Sequence, residues 1–226
     1  MEKIKAFIVN RNLLTTLKNT VEFLQKEPRI EIVILDQAST YPPLLDYYKT
    51  LDLSIIYFPT NDGPYVVWTD SFKSNLNDNP YIVTDPDCVY DDVPVDWLDK
   101  MINVLDNSPI FKVGFSLNID DLPDTGAKIS MGGQLYTAKE WESRFWTEKN
   151  EFGWVSEIDT TFALYRPISE SSLFSHNAIR LNKPYCIKHM PWYLTKENLT
   201  PEWSYYLNEI SEVSYWGSAL KNINHV

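Results

Sequence analysis

The chain has 226 residues, 44% hydrophobic and 23% charged, a composition that suits one folded domain and excludes a disordered chain. Its 31 acidic residues outnumber 20 basic ones and leave a net charge of −11, which argues against a broad phosphate-binding surface and so against a nucleic-acid partner. Two cysteines, Cys88 and Cys186, are too few for a disulfide framework and lack zinc-ligand spacing, so a reducing, cytoplasmic compartment is expected.

From the N-terminus, Lys3 to Val9 reads as a strand whose apolar part stops at Asn10 and Arg11, too short for a signal peptide or a membrane span. No other run is long enough to span, so membrane contact is expected to be peripheral at most. Leu13 to Lys26 has helical spacing and Ile30 to Leu35 is again strand-like, which together make a β-α-β unit. The alternation continues with a helix over 43–51, a strand over 53–58, a helix over 65–76 and a strand over 80–85. Such alternation predicts an α/β fold with a mostly parallel central sheet and helices on both faces. Further on, 95–107 reads as a helix entered through Pro94, and 112–119 as a strand. A helix is predicted over 138–148, after the glycine pair Gly132-Gly133. The segments 160–166, 178–182 and 184–190 suggest a second, smaller group of strands, and 203–210 and 214–220 read as aromatic helices. No repeat or linker divides the chain, so a single domain is expected.

In an open parallel sheet the ligand sits beyond the carboxyl ends of the strands, where loop amides and helix N-termini converge. The four predicted strands end in Asn10-Arg11, in Asp36-Gln37-Ala38-Ser39, in Asn61-Asp62-Gly63 and in Asp85-Pro86-Asp87, polar groups that would line one crevice. Two carboxylates held one residue apart by a proline offer oxygen ligands toward a single point. That suits Mn²⁺ or Mg²⁺ when a substrate diphosphate completes the shell. A solvated Asp-Pro turn, its side chains capping backbone amides, is the commoner source of such a pair. The position at the end of a buried strand, amid three other polar strand ends, is what selects the site.

The order VNRN, VILDQAST, NDGP and YIVTDPDC resembles the nucleotide-binding half of a family-two-like glycosyltransferase of the glycosyltransferase-A (Rossmann-like) fold, small bacterial type, with TDPD as its Asp-x-Asp motif. KVGFSLNIDDLP, EIDTTFALYR and IKHMPWY are similar to stretches of small bacterial enzymes that build surface polysaccharides. The resemblance implies a nucleotide-sugar-binding half over 1–120 and an acceptor-binding, catalytic half over 121–226. It implies that Asn10, Arg11, Asp36, Ser39, Asp62 and Gly63 hold the base and ribose, with Gly63 permitting close backbone approach. Asp85 would contact the ribose or reach the metal through water, and Asp87 would ligate the metal directly. His189 would complete the metal site, and Lys188 would meet a diphosphate oxygen.

Inverting transfer needs a carboxylate to accept the acceptor's hydroxyl proton. Asp159 in SEIDTTFALYR is the first candidate and Glu157 the second; Asp120 and Asp121 are further ones. The family's Glu-Asp pair usually opens a helix, whereas the residues after Asp159 read as a strand. Trp154 and Trp192 stand beside these groups in sequence and are candidates to stack on an acceptor sugar, while Trp141 and Phe145 at helical spacing read as core. The expected donor is a nucleoside diphosphate sugar, UDP-sugar favoured, and the acceptor a carbohydrate or glycolipid. Sugar nucleotidyltransferases carry a glycine-rich loop after the first strand that VNRNLLTT lacks, and no dinucleotide or Walker-type loop is present. A non-catalytic carbohydrate-binding or scaffolding protein on the same fold is the rival reading.

Overall fold

In the computed structural model, β1 (Ile4–Asn10), β2 (Ile30–Gln37), β3 (Ser54–Phe58) and β4 (Tyr81–Thr84) run parallel in the spatial order β4-β1-β2-β3. The structure describes residues 3–76, 78–125, 128–167 and 177–209, so the helix expected over 214–220 lies outside the described residues. Because the four strands are parallel, their polar ends fall on one edge of the sheet, as expected. The sheet reverses its direction of growth between β1 and β4, the switch point at which such sheets bind ligands.

α1 (Thr15–Gln25) connects β1 to β2, and α2 (Pro42–Tyr48) connects β2 to β3. The period-2 alternation of the strands then divides the core in two. Ala6, Ile8, Ile32, Ile34 and Ile82 pack against Leu17, Val21 and Leu24 of α1, while Phe7, Val9, Val33, Leu35 and Val83 face the opposite side. Each fully buried aliphatic side chain there stabilises the fold by about 1.5–3 kcal/mol. The opposite side is covered by the segment expected as one helix over 65–76, which instead forms two single 3₁₀ turns, Val66–Trp68 and Lys73–Asn75. Its polar side chains compete for the main chain: Thr69 Oγ1 donates to Val66 O at 2.7 Å and Asn75 Nδ2 to Phe72 O at 2.8 Å. Val66, Val67 and Phe72 are nonetheless buried.

β5 (Cys88–Val89) and α3 (Trp97–Asp106) follow. The strand expected over 112–119 is divided into β6 (Lys112–Gly114) and β7 (Ser116–Leu117), which belong to different sheets. A hairpin that sequence reasoning did not anticipate, β8 (Ile129–Met131) and β9 (Gln134–Tyr136), turns on Gly132 and Gly133, both with positive φ. α4 (Ala138–Ser143) opens with a capping box between Thr137 and Glu140 and stops five residues short of the expected helix. β10 (Gly153–Val155), β11 (Ala163–Tyr165), β12 (Ala178–Leu181), β13 (Cys186–His189) and α5 (Pro201–Glu209) complete the described chain.

β11 and β12, expected in a second sheet, join the main one, which has eight strands in the order β10-β12-β6-β11-β4-β1-β2-β3. The small sheet is β5-β13-β7. Sequence runs alone do not say which backbone a strand will pair with. Here β11 inserts antiparallel between β4 and β6, with Ala163 opposite both Val83 and Gly114. Position 114 has to be glycine, since a Cβ there would stand 2.1 Å from Phe162 O. We expect Gly114→Ala to lower the denaturant midpoint by an equivalent of about 2 kcal/mol or more, because a main-chain oxygen in mid-sheet cannot move aside. Val93→Ala, at a partly buried position outside the sheet, serves as the control; equal midpoints for the two variants would refute this account of the β6–β11 pairing.

Candidate active site

At the end of β1, Asn10 is fully buried and its Nδ2 donates to Tyr48 Oη at 2.8 Å. That hydroxyl donates in turn to Asp36 Oδ1 at 2.9 Å, and Ser39 N donates to Asp36 Oδ2 at 3.0 Å. Asp36 is thus fixed in orientation at the end of β2. Burial and the Asp36 charge push the Tyr48 hydroxyl far up, so it stays a donor. Arg11 Nη1 donates to the carbonyls of Gln37 and Ala38 at 2.7 and 3.3 Å. Ser39 Oγ accepts from Asn12 N at 2.9 Å. Asp62 N donates to Gln37 Oε1 at 3.0 Å, and Thr60 Oγ1 donates to the exposed Asp62 carboxylate at 2.7 Å. Gly63, at φ +84, has open space where a Cβ would be. The structure therefore brings Asn10, Arg11, Asp36, Ser39, Asp62 and Gly63 together on three hydrogen-bonded loops.

Sequence reasoning missed Asn12. It adopts φ +55 and its Oδ1 accepts from Thr40 N and Tyr41 N at 2.6 and 2.9 Å, tying the first loop to the second. An asparagine just past a strand end is a residue type that tolerates this left-handed conformation, and that was the available signal. Among the described residues, Asn10 Oδ1, Asn12 Nδ2 and Gln37 Nε2 are buried without a hydrogen-bond partner. Buried polar atoms of this kind are normally satisfied, so these three suit hydrogen bonds to ordered water.

Past β4, Asp85 N donates to Thr160 O at 2.8 Å and Thr160 Oγ1 donates to Asp85 Oδ2 at 2.6 Å. Burial, then the charges of Asp87 and Asp159, push the Asp85 carboxyl well above its ordinary value, against the Thr160 hydrogen bond. Asp87 Oδ2 stands 3.5 Å from His189 Nε2, brought there by the pairing of Cys88 with His189 across β5 and β13 and by Met190 N donating to Asp87 O at 2.9 Å. His189 is buried, edge-on to Trp192 with ring centroids 4.8 Å apart. Trp192, expected to stack on a sugar, is itself only 3% exposed and supports the imidazole instead.

Lys188 and His189, neighbours in one strand, point to opposite faces. The Lys188 ammonium meets Asp121 at 2.6 Å, which also accepts from Tyr193 Oη at 2.7 Å, so the structure does not bring Lys188 to Asp87. Among the described residues no group of three or more His, Cys, Asp or Glu side chains is arranged to hold a metal ion. Two neighbouring ligands of an octahedral ion at 2.0–2.1 Å stand about 3 Å apart, so Asp87 and His189 fit two positions of a Mg²⁺- or Mn²⁺-sized cation. The other positions would need oxygens from a ligand or water.

Asp159 is exposed in the turn between β10 and β11, and Tyr65 Oη donates to its Oδ1 at 3.0 Å. Glu157 is also exposed, while the intervening Ile158 is buried. Their carbonyls are held from below: Arg180 Nε donates to Glu157 O at 2.7 Å and Lys112 Nζ to Ile158 O at 2.6 Å. Burial, helped by Arg180, pushes the Lys112 ammonium down to about 8, against the attraction of Asp159. Arg180 is ion-paired to Glu142, which burial pushes up to about 7 although Arg180 and His189 draw it down.

α5 closes the same edge. Its buried Glu202 caps α1, accepting from Leu14 N at 2.7 Å, from Thr15 N at 3.0 Å and from Thr15 Oγ1 at 2.7 Å. Tyr205 Oη donates to Thr40 Oγ1 at 3.0 Å. The Tyr206 hydroxyl is pushed up by burial and then by the charges of Asp87 and Asp85.

No protein-family model matches the chain, and no curated protein sequence does either. Among solved structures it is similar to residues 1–349 of S. aureus TarS, at 14% identity and a TM-score of 0.44, over 73% of this chain and 47% of that one. A second TarS structure gives 13% and 0.43, over 77% and 32%. A 4-diphosphocytidyl-2C-methyl-D-erythritol synthase from Anaerococcus prevotii DSM 20548 gives 15% and 0.38, over 59% and 63%. The chain thus spans less than half the length of the TarS chains, and these likenesses carry nothing about chemistry. The class of protein is set by its own topology: an α/β domain with a mostly parallel eight-stranded sheet, a small second sheet and a polar crevice at the switch point.

Two outcomes test this description. Glu202→Ala should cost about 1–2 kcal/mol, the usual worth of a helix cap, read from the denaturant midpoint. Lys112 releases its proton near 8 in the folded chain against 10.5 ordinarily, so between those values the unfolded chain binds more protons and the burial penalty fades as pH rises. From about pH 7.5 to about pH 9.5 the wild type should therefore gain stability relative to Lys112→Met. Parallel stability curves would show that the ammonium is not depressed.

Proposed function

We propose that the chain is a metal-dependent glycosyltransferase of the glycosyltransferase-A fold, moving a sugar from a nucleoside diphosphate donor, UDP favoured, to a carbohydrate or glycolipid acceptor. Cytoplasmic assembly of surface polysaccharide or lipopolysaccharide is the setting we favour, and inversion the stereochemical course. One observation carries the reading: the β1–β4 switch point has Asp36, locked by Tyr48 and Ser39, on the same edge as the Asp87–His189 pair. That is what a nucleotide with a diphosphate tail needs.

In this reading Asp36, Asn10 and Arg11 with Ser39, Asp62 and Gly63 receive the base and ribose. Asp87 and His189 would hold Mn²⁺ or Mg²⁺, which when bound offsets negative charge on the diphosphate. Asp85, its charge disfavoured by burial, would serve the ribose or a metal-bound shell through water. Asp159 takes the proton from the acceptor hydroxyl as that oxygen bonds to the anomeric carbon. The bond from that carbon to the diphosphate oxygen breaks, and the nucleoside diphosphate leaves with its electron pair. Glu157, exposed two residues earlier, is the second candidate for the proton.

The absence of a preformed three-ligand group among the described residues is what favours the rival, a non-catalytic carbohydrate-binding protein on the same fold. Thermal shifts with UDP, GDP, CDP and TDP, each with and without Mn²⁺, separate the two. A shift for one nucleotide that needs both Mn²⁺ and Asp87, lost in Asp87→Ala, is the expected outcome, worth about 2.7 kcal/mol at a hundredfold excess over Kd. No shift with any nucleotide would favour the rival. For the proton acceptor, Asp159→Asn should lower kcat about 10²- to 10⁴-fold with the nucleotide shift intact. Near-normal turnover would remove Asp159 from the role.

A further inference from the structure

One face of α5 spans the crevice from the first loop to the Asp87–His189 pair. Glu202, Trp203, Tyr206 and Leu207 recur at helical spacing and so share that face. Glu202 binds the first amides of α1, just after the loop that carries Arg11. One turn on, Tyr206 stands edge-on to Trp203 with ring centroids 5.6 Å apart. It packs on the cluster of Leu13, Leu194, Trp203 and Leu207, and Met190 packs on the same cluster. Leu13 lies two residues after Arg11, while Met190 follows His189 and donates its N to Asp87 O at 2.9 Å. The Tyr206 ring is therefore lodged in the seam between the first loop and the Asp87–His189 pair. Its neighbour Tyr205 turns to the second loop, its ring 5.0 Å from that of Tyr41 and its hydroxyl on Thr40, so contacts on both sides of Tyr206 fix the rotation of the helix.

The hydroxyl feels both ends of the seam: burial first, then Asp87 and Asp85, push it up, and Arg11 draws it down. It stays protonated and hence a neutral donor. A lysine in that place would be drawn into an ion pair with the carboxylates, and a further carboxylate would add to their repulsion. An O–H donor does neither, and to an anionic oxygen it makes a charge-assisted hydrogen bond. Other donors near this edge are committed elsewhere: the Arg11 guanidinium to the carbonyls of Gln37 and Ala38, and the Lys188 ammonium to Asp121.

We propose that Tyr206 binds the diphosphate of the donor, its hydroxyl donating to a phosphate oxygen between the ribose side at Arg11 and Asp36 and the Asp87–His189 pair. This deepens the reading of the chain as a glycosyltransferase and rests on it.

Calorimetric titration with UDP, GDP, CDP and TDP, each with Mn²⁺, identifies the diphosphate that binds. Tyr206→Phe removes the hydroxyl and keeps the ring, so it should raise the Kd of that diphosphate about 10- to 100-fold, the loss expected for a hydrogen bond to a charged group. The matching nucleoside, followed by saturation-transfer NMR without metal, should bind the variant and the wild type alike, and the denaturant midpoint should not move. A diphosphate Kd unchanged by Tyr206→Phe overturns the inference alone. So does an equal loss for nucleoside and diphosphate, which would leave Tyr206 a packing residue of α5. A wild type that binds none of the four diphosphates overturns the proposed function itself, and the inference falls with it.

Discussion

The antiparallel insertion of β11 between β4 and β6 fixes where the candidate groups stand. Because Ala163 pairs with Val83 near the end of β4, the residues just before β11 lie beyond that end, where Thr160 meets Asp85 through two hydrogen bonds. The same insertion presses Phe162 O against position 114, which only glycine accommodates. Lys112, two residues earlier on β6, is thereby brought under Ile158 O. A strand register, set by backbone hydrogen bonds and a missing Cβ, thus places an exposed carboxylate in the electrostatic neighbourhood of the Asp85 and Asp87 pair.

Electrostatics explains why such a crevice would suit a cation. Asp85, Asp87 and Asp159 are like charges in a chain of net charge −11, and their mutual repulsion is part of what raises Asp85. In the proposed function a diphosphate entering alone would be repelled by them, and a divalent cation held by Asp87 and His189 would offset that repulsion. On the other side of the turn, Lys112 and the Glu142-paired Arg180 hold the carbonyls of Ile158 and Glu157.

α5 makes the crevice a property of the whole chain. It is separated from α1 by almost the full sequence, yet Glu202 satisfies the first amides of α1, and Leu13, Leu194, Trp203 and Leu207 form a small core of their own. With Tyr205 on the second loop and Tyr206 within the field of Asp85 and Asp87, the helix closes over strand ends set by residues 4–84.

The sequence by itself determined the β-α-β alternation, the common edge of four polar strand ends and the residues along it, because period-2 and helical spacing are local consequences of burying one face. It also singled out Asp87 and His189, whose proximity the fold delivers. Tertiary structure decided the rest. Residues 65–76 have helical spacing, but their hydroxyl and amide side chains take main-chain carbonyls and leave two 3₁₀ turns. β11 and β12 look like strands of a separate sheet until their partners are known, and Lys188, beside a candidate metal ligand in sequence, faces the other way because adjacent strand residues alternate. Tyr48, Thr160, Lys112 and Arg180 carry no mark in the sequence, since each acts on a residue at least 12 positions away and distance along the chain says nothing of such contacts until the sheet is assembled.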